Sequence, residues 1–338
     1  MMNSKIDKAI LSGYTADIYF PRTQAILRAE GLDPVVTMEI FPNREGILCG
    51  INEVLELLAQ VLPEDGDVWA LAEGEPMADK EVVLRITAPY SRFGLYETAI
   101  LGMLAQTSGW ATAARECVEA ANGIPVISFG ARHVHPSVAG RLEYAAIVGG
   151  CAGCATPAGA DLAGLEATGT IPHALVLIFG DTVKATEAFD RHMPPHIRRV
   201  ALVDTFKDEC EESLRVAEAL GYRLWGVRLD TPQERGRVTP ELVKELRARL
   251  DQAGYTWVKI TVSGGVDAAR IRLFREQKAP VDVFGVGSAI SGAPPIDFTG
   301  DLKAIAGKPV AKRGRIPGIT ANPRLQRVDL TKFRKTTH

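Results

Sequence analysis

The pattern of apolar positions changes character near residue 122. Before it, residues 51–62 (INEVLELLAQVL) space their apolar side chains for one face of a helix, and Pro63-Glu64-Asp65-Gly66 stops the run. Residues 68–71 and 81–86 flank a polar turn and read as strands of a small antiparallel sheet. Residues 96–118 form an alanine-rich helical stretch with a break predicted near Ser108-Gly109. After residue 122, short β-branched runs end in Gly, Asp, Ser or Arg and alternate with helical segments. The predicted strands are 125–130, 200–204, 224–230, 257–262 and 281–285, and two more are placed at 151–155 and 165–168. The intervening helices are 207–219, 240–253 and 267–277. Continuous apolar strands joined by helices imply a parallel sheet covered by helices.

No G-x-G-x-x-G opens a helix, and polar residues cluster at the strand C-termini. A β/α barrel is therefore expected in preference to an open doubly wound sheet. From Gly307 onward, short basic strands at 309–313 and 324–328 surround a Pro-Gly turn and are expected to return to the N-terminal sheet. The organisation that follows is an N-terminal α/β domain over 1–122, a β/α barrel over 123–300, and a C-terminal return over 301–338.

Composition narrows the function. The 338 residues are 46% hydrophobic and 24% charged, the mix of a globular chain of about two domains. A net charge of -2 offers no global basicity for nucleic acid or a membrane surface. No apolar run approaches the ~18 residues of a membrane span. The first ten residues carry Lys5, Asp7 and Lys8 and lack the apolar centre of a signal peptide. Five cysteines are too few for a disulfide scaffold of this size. A cytoplasmic protein without nucleic-acid or membrane partners is expected.

Candidate chemistry sits at the strand ends. Ser263-Gly264-Gly265 and Gly285-Val286-Gly287-Ser288 each follow a predicted strand, and their backbone N–H groups can approach an anion closely. Singly each is an ordinary tight turn; on successive late strands they make a phosphate cradle. Strand alternation sends Arg228 and Asp230 to one side, as a phosphate fork and a hydroxyl or cation acceptor, or as a structural ion pair. Asp204 ends another strand and either faces the same cavity or caps the next helix. Phe129 through His135 (FGARHVH) pairs an aromatic face with cationic donors at Arg132, as a flat anionic ligand needs. His173 follows a tight turn, where it serves as a structural residue, a nucleophile toward phosphate, or an acid–base group. Cys151 and Cys154, with His133 and His135, supply four potential zinc ligands at no standard zinc spacing; their Gly and Ala neighbours favour buried small residues.

Taken together, these segments resemble the nicotinate phosphoribosyltransferase family, type II phosphoribosyltransferases akin to the nicotinamide and quinolinate enzymes. The resemblance covers nearly the whole chain. It rests on Thr15-Ala16-Asp17-Ile18-Tyr19, Glu73-Gly74-Glu75-Pro76, 84–90 (LRITAPY), Phe129-Gly130-Ala131-Arg132, 169–173 (GTIPH), Val203-Asp204-Thr205-Phe206, Val227-Arg228-Leu229-Asp230, 263–267 (SGGVD) and 284–288 (FGVGS), in that order. It implies an irregular, incomplete β/α barrel plus an α/β sandwich built from both chain ends. It implies a homodimer or larger assembly with shared active sites. The implied reaction joins nicotinate to phosphoribosyl pyrophosphate in NAD biosynthesis, giving nicotinate mononucleotide and pyrophosphate, with Mg2+ and with ATP hydrolysis coupled through a phosphohistidine. On that resemblance His173 is the phosphorylated histidine. Phe129 stacks on the pyridine ring, with Tyr19 of a neighbouring subunit on its other face. Arg132 and Arg228 hold anionic groups, Asp230 binds ribose hydroxyls, and Asp204 sits near ribose and pyrophosphate. Ser263, Gly264, Gly287 and Ser288 cradle the 5′-phosphate, and Thr156 lies where the base is read. His133 stands where many members carry a second arginine, and Ala155-Thr156-Pro157 replaces a Thr-Ser or Thr-Asp segment. Nicotinamide or quinolinate as the base, or a non-catalytic phosphate-ligand binder, are the alternatives.

Overall fold

The computed structural model describes residues 6–334, which divide into two compact units. The first comprises the chain to Thr112 and from Pro294 onward; the second runs from Ala113 to Ala293. The first division falls inside the helix Glu97–Ala121.

The first unit holds a six-stranded antiparallel sheet in the order Lys308–Pro309, Phe298–Ile305, Val35–Pro42, Leu84–Pro89, Asp67–Ala70, Gln326–Arg327. Both chain ends thus contribute strands. Along Leu84–Pro89 burial alternates strictly, so Leu84, Ile86 and Ala88 face a core. Val54, Leu57 and Leu58 of the helix Ile51–Val61 pack into the same core with Ile100 and Leu104. The polar positions are used too: Glu39 accepts from Arg85 Nε (2.9 Å) and from the backbone N–H of Thr320 (3.0 Å), and Lys303 Nζ donates to the Ile316 carbonyl (2.7 Å). The basic C-terminal segment is therefore tied across the polar positions by charge-assisted bonds, and only its two short ends join the ladder.

The second unit holds a curled, open, six-stranded parallel sheet in the order Gly153–Cys154, Val126–Ser128, Val283–Val286, Lys259–Val262, Leu224–Leu229, Arg199–Leu202. Every pairing is parallel, and the two outermost strands are not joined, so the sheet does not close. All six strand C-termini lie on one edge. Helices Glu209–Leu220, Pro240–Gln252 and Ala268–Glu276 return the chain between strands. Among the described residues no helix is long and apolar enough to cross a membrane.

Two expectations are corrected. Residues 165–168 form no strand; Thr168 donates a single backbone bond to the Cys154 carbonyl (2.8 Å) beside the sheet's edge. The helix Glu97–Ala121 is unbroken at Ser108-Gly109. Ser108 spends its hydroxyl on Cys49, whose N–H it accepts at 3.0 Å, instead of competing for its own backbone. Gly109 is there for contact: a Cβ would lie 2.4 Å from the Pro294 carbonyl oxygen. Gly102, on the same helix, meets nothing within 4 Å. Gly102→Ala should therefore stabilise the protein by up to about 1 kcal/mol. Gly109→Ala should destabilise it by roughly 1–3 kcal/mol through the backbone clash. Thermal and denaturant melts of the two variants check the opposite signs.

Candidate functional site

The C-terminal edge of the parallel sheet opens into a cavity of about 670 Å³. Of the predicted residues, Phe129, Arg132, His173, Arg228, Asp230, Ser263, Gly264, Gly287 and Ser288 line it. All but His173, which opens a helix, arrive from a strand tip or the loop that follows, so five separate chain segments meet at one place.

At one end the Phe129 ring lies over Gly285, where a Cβ would come within 2.4 Å of its Cε2. The Arg228 guanidinium carbon sits 5.9 Å from the ring centroid. Arg228 Nη1 donates to Thr170 Oγ1 (2.7 Å), and Nη2 stands 3.6 Å from Asp230 Oδ2. Burial lowers the Arg228 guanidinium's pKa, opposed by Asp230 and Asp204. At the centre Ser263 Oγ is within donating distance of Asp230 Oδ1 (3.0 Å) and the Leu229 carbonyl (3.2 Å). Gly264 and Gly265 hold positive φ of 84° and 65°, a backbone that L side chains rarely adopt.

His173 opens the helix His173–Phe179. Its Nδ1 lies 3.1 Å from Thr205 Oγ1, and its Nε2 stands 3.5 Å from Asp204 Oδ2 and 3.7 Å from Asp230 Oδ2. The Asp204 side chain is 1% exposed, and among the described residues neither of its oxygens has a hydrogen-bond partner. The capping alternative for Asp204 is taken up by Asp208, which accepts from Cys210 and Glu211 N–H groups at the head of Glu209–Leu220. Asp204 lies behind the cavity wall and meets it through His173. Burial raises its carboxyl to about 6; His173 and Arg228 pull against that rise, and Asp230 adds to it.

Three predicted positions lie elsewhere. Thr156 does not line the cavity, whereas Ala155 does; the Thr156 hydroxyl donates to Glu143 Oε2 (2.5 Å) and caps the helix Pro157–Ala163. His135 caps the helix Pro136–Val148. Tyr19 belongs to the first unit, 56% exposed, its hydroxyl donating to Asp17 Oδ2 (3.1 Å). Burial pushes the Cys151 thiol up to about 12 and the Cys154 thiol up to about 11, so both stay protonated at neutral pH. Sequence reasoning left Thr170, Thr205 and Glu143 without individual roles. Thr170 and Thr205 stand within or beside quoted motifs, but their partners, Arg228 and His173, are distant in the chain.

An aromatic face, two arginines and glycine-rich strand ends form a site able to take a flat anionic group next to a phosphate. Two aspartates and a histidine between them can hold cationic charge. Fold and cavity together define an α/β protein with its ligand site at the C-terminal edge of a parallel sheet. Residues 17–108 and 110–301 match the N-terminal and C-terminal domains of quinolinate phosphoribosyl transferase, and the chain belongs to that family. It is 35% identical over 308 residues to nicotinate phosphoribosyltransferase pncB2 of Mycobacterium tuberculosis, covering 86% of this chain and 65% of that protein. It is 29% identical over 228 residues to nicotinate phosphoribosyltransferase of Bacillus subtilis, covering 66% of this chain and 45% of that one. The chain thus spans less than two thirds of the length of these curated relatives. The solved structure of nicotinate-nucleotide pyrophosphorylase from Pyrococcus furiosus superimposes with a TM-score of 0.86 at 43% identity, over 94% of this chain and 82% of that one.

The raised Asp204 carboxyl has a consequence for stability. Its folded pKa lies above the ordinary carboxylate value, so the proton it binds stabilises the fold at low pH, and that stabilisation is lost as pH rises from about 4 through about 6. In buffer with a metal chelator, Asp204→Asn should melt above the wild type at pH 7.5. The gap should close as pH falls toward 4. Paired thermal melts across that range check it.

Proposed function

We propose that this chain is a phosphoribosyltransferase that joins nicotinate to phosphoribosyl pyrophosphate, in NAD biosynthesis, and couples the reaction to ATP hydrolysis through His173. The observation that carries the reading is His173 on the cavity wall, with one ring nitrogen beside Thr205 and the other between two carboxylates. Family membership and the nicotinate phosphoribosyltransferases among the relatives support it.

In this reading the base lies against Phe129 with its carboxylate toward Arg132, and the 5′-phosphate rests on Ser263, Gly264, Gly287 and Ser288. The pyridine nitrogen's lone pair forms the bond to the ribose anomeric carbon, and the bond from that carbon to pyrophosphate breaks with its electrons leaving on oxygen. No general base is needed, because the nucleophile carries no proton. Asp230 faces the ribose hydroxyls, and anionic side chains beneath the sugar stabilise the positive charge it develops. Asp230 on the wall, with Asp204 behind it, would hold a hard cation such as Mg2+, which would supply charge neutralisation for the pyrophosphate. In the coupling step a ring nitrogen of His173 takes the terminal phosphoryl group of ATP with release of ADP, and water later cleaves the N–P bond. The exposed ring of Tyr19 serves the cavity of a neighbouring subunit, so the reading includes a homodimer or larger assembly in the cytoplasm.

The second reading takes quinolinate as the base. It is favoured by the matching family description and by the two arginines on the cavity wall, which suit a dicarboxylate. Pyrophosphate release with nicotinate, nicotinamide and quinolinate, each with and without ATP, separates the two. The primary reading expects nicotinate turnover stimulated by ATP. Carbon dioxide release from quinolinate, indifferent to ATP, moves the assignment to the second reading. His173→Ala is expected to abolish ATP stimulation and leave base binding, followed by calorimetry, intact. Undiminished ATP stimulation in that variant removes the phosphohistidine.

A further inference from the structure

Glu143 is fully buried in the helix Pro136–Val148 and touches no part of the cavity, yet its carboxylate collects three hydrogen bonds from one short turn. The Ala155 N–H donates to Oε1 (3.0 Å), the Thr156 N–H to Oε2 (2.7 Å), and the Thr156 hydroxyl to Oε2 (2.5 Å). Behind that turn the chain is pressed onto the same side chain: a Cβ on Gly159 would lie 2.5 Å from Glu143 Cβ and 2.9 Å from Oε2. Ahead of it the Cys154 carbonyl accepts the Thr168 N–H (2.8 Å), which fixes the start of the 169–173 loop. Ala155 and that loop are both cavity wall.

The strand order says which part of the wall this is. Among the described residues Gly153–Cys154 is the outermost strand of its sheet and pairs with Val126–Ser128, whose tip carries Phe129. The turn that Glu143 holds therefore flanks the aromatic end of the cavity, away from Gly264 at the tip of Lys259–Val262. A carboxylate whose oxygens accept two backbone N–H groups and a hydroxyl fixes a turn more firmly than packing alone, because each bond is charge-assisted and shielded from water.

We propose that Glu143 is a positioning residue that sets the shape of the base-binding end of the cavity and so helps select among pyridine bases. The inference rests on the phosphoribosyltransferase reading above and adds the element that shapes its base subsite. Glu143→Gln places an amide NH2 against donors that need an acceptor and loosens the turn without changing its volume. The experiment is steady-state kinetics of the full-length enzyme with nicotinate, nicotinamide and quinolinate, varying base and phosphoribosyl pyrophosphate separately. Glu143→Gln is expected to raise KM for the preferred base by about tenfold, with KM for phosphoribosyl pyrophosphate within about twofold, and to narrow the preference among bases. Thr156→Val, which deletes the hydroxyl donor, is expected to move in the same direction, and Thr156→Ser to restore wild-type values. These two decide the matter if Glu143→Gln does not fold. Equal changes in both KM values, or a lowered Tm with base KM unchanged, overturns the role. A wild type that makes no nucleotide from any of the three bases overturns the underlying reading and this inference with it. An active wild type with unaltered base KM in Glu143→Gln and Thr156→Val overturns this inference alone.

Discussion

An under-compensated buried carboxylate backs the cavity wall. Asp204 is shut off from solvent, makes no hydrogen bond through either oxygen, and has His173 at 3.5 Å as its nearest cationic candidate. Burying a carboxylate without partners is unfavourable, and the usual relief is to take up a proton, which is the direction its pKa moves. The neighbouring aspartate deepens the problem. Asp230 faces the same imidazole from 3.7 Å and shares Arg228, which is itself weakened as a cation by burial. Strain of this kind survives only where the surrounding structure holds the groups in place.

The parallel sheet does that holding. Its strands end on a common edge, so residues far apart in sequence converge without long loops. The glycines then decide how close the converging groups come. Gly285 lets the Phe129 ring lie directly on the neighbouring strand, and Gly264 lets the loop pass Asp230, where a Cβ would sit 2.9 Å from Oδ1. Gly287 does the same beside His133, with Cε1 at 3.0 Å from the position of a Cβ. Cavity shape here is set by missing side chains as much as by those present, and Arg228 links the aromatic ring to the Asp230 carboxylate along the edge.

Much of this was readable in the chain because local patterns carried it. The β-branched runs ending in Asp, Gly or Ser became strands, and the residues at their ends became the cavity wall. Strand order was not readable, since Val283–Val286 inserts between Val126–Ser128 and Lys259–Val262 for reasons of three-dimensional packing. The predicted helix break at Ser108-Gly109 failed because glycine there answers a tertiary contact with Pro294, not a turn. Thr156 was expected to face the ligand, but a hydroxyl next to a buried acceptor bonds the acceptor, and its neighbour Ala155 takes the wall. Glu143 drew no attention, since a lone acid in an apolar helix has no local signal, and its partners are backbone N–H groups from the next segment.

On the phosphoribosyltransferase reading, the charge layout has a logic of its own. The substrates are strongly anionic, yet the cavity presents Asp230 to them, with Asp204 buried behind the wall. Bare pyrophosphate would be repelled by Asp230, whereas pyrophosphate carrying a divalent cation would be drawn toward it. Arg132 lies on the wall beside Phe129, while Arg228 spans from the ring, braced by Thr170, to Asp230 at 3.6 Å. A carboxylate on a flat heterocycle can reach Arg132 without crossing the aspartates. A neutral amide would forgo the charge-assisted contact that a carboxylate makes with Arg132, so discrimination between bases on this reading falls to that end of the wall.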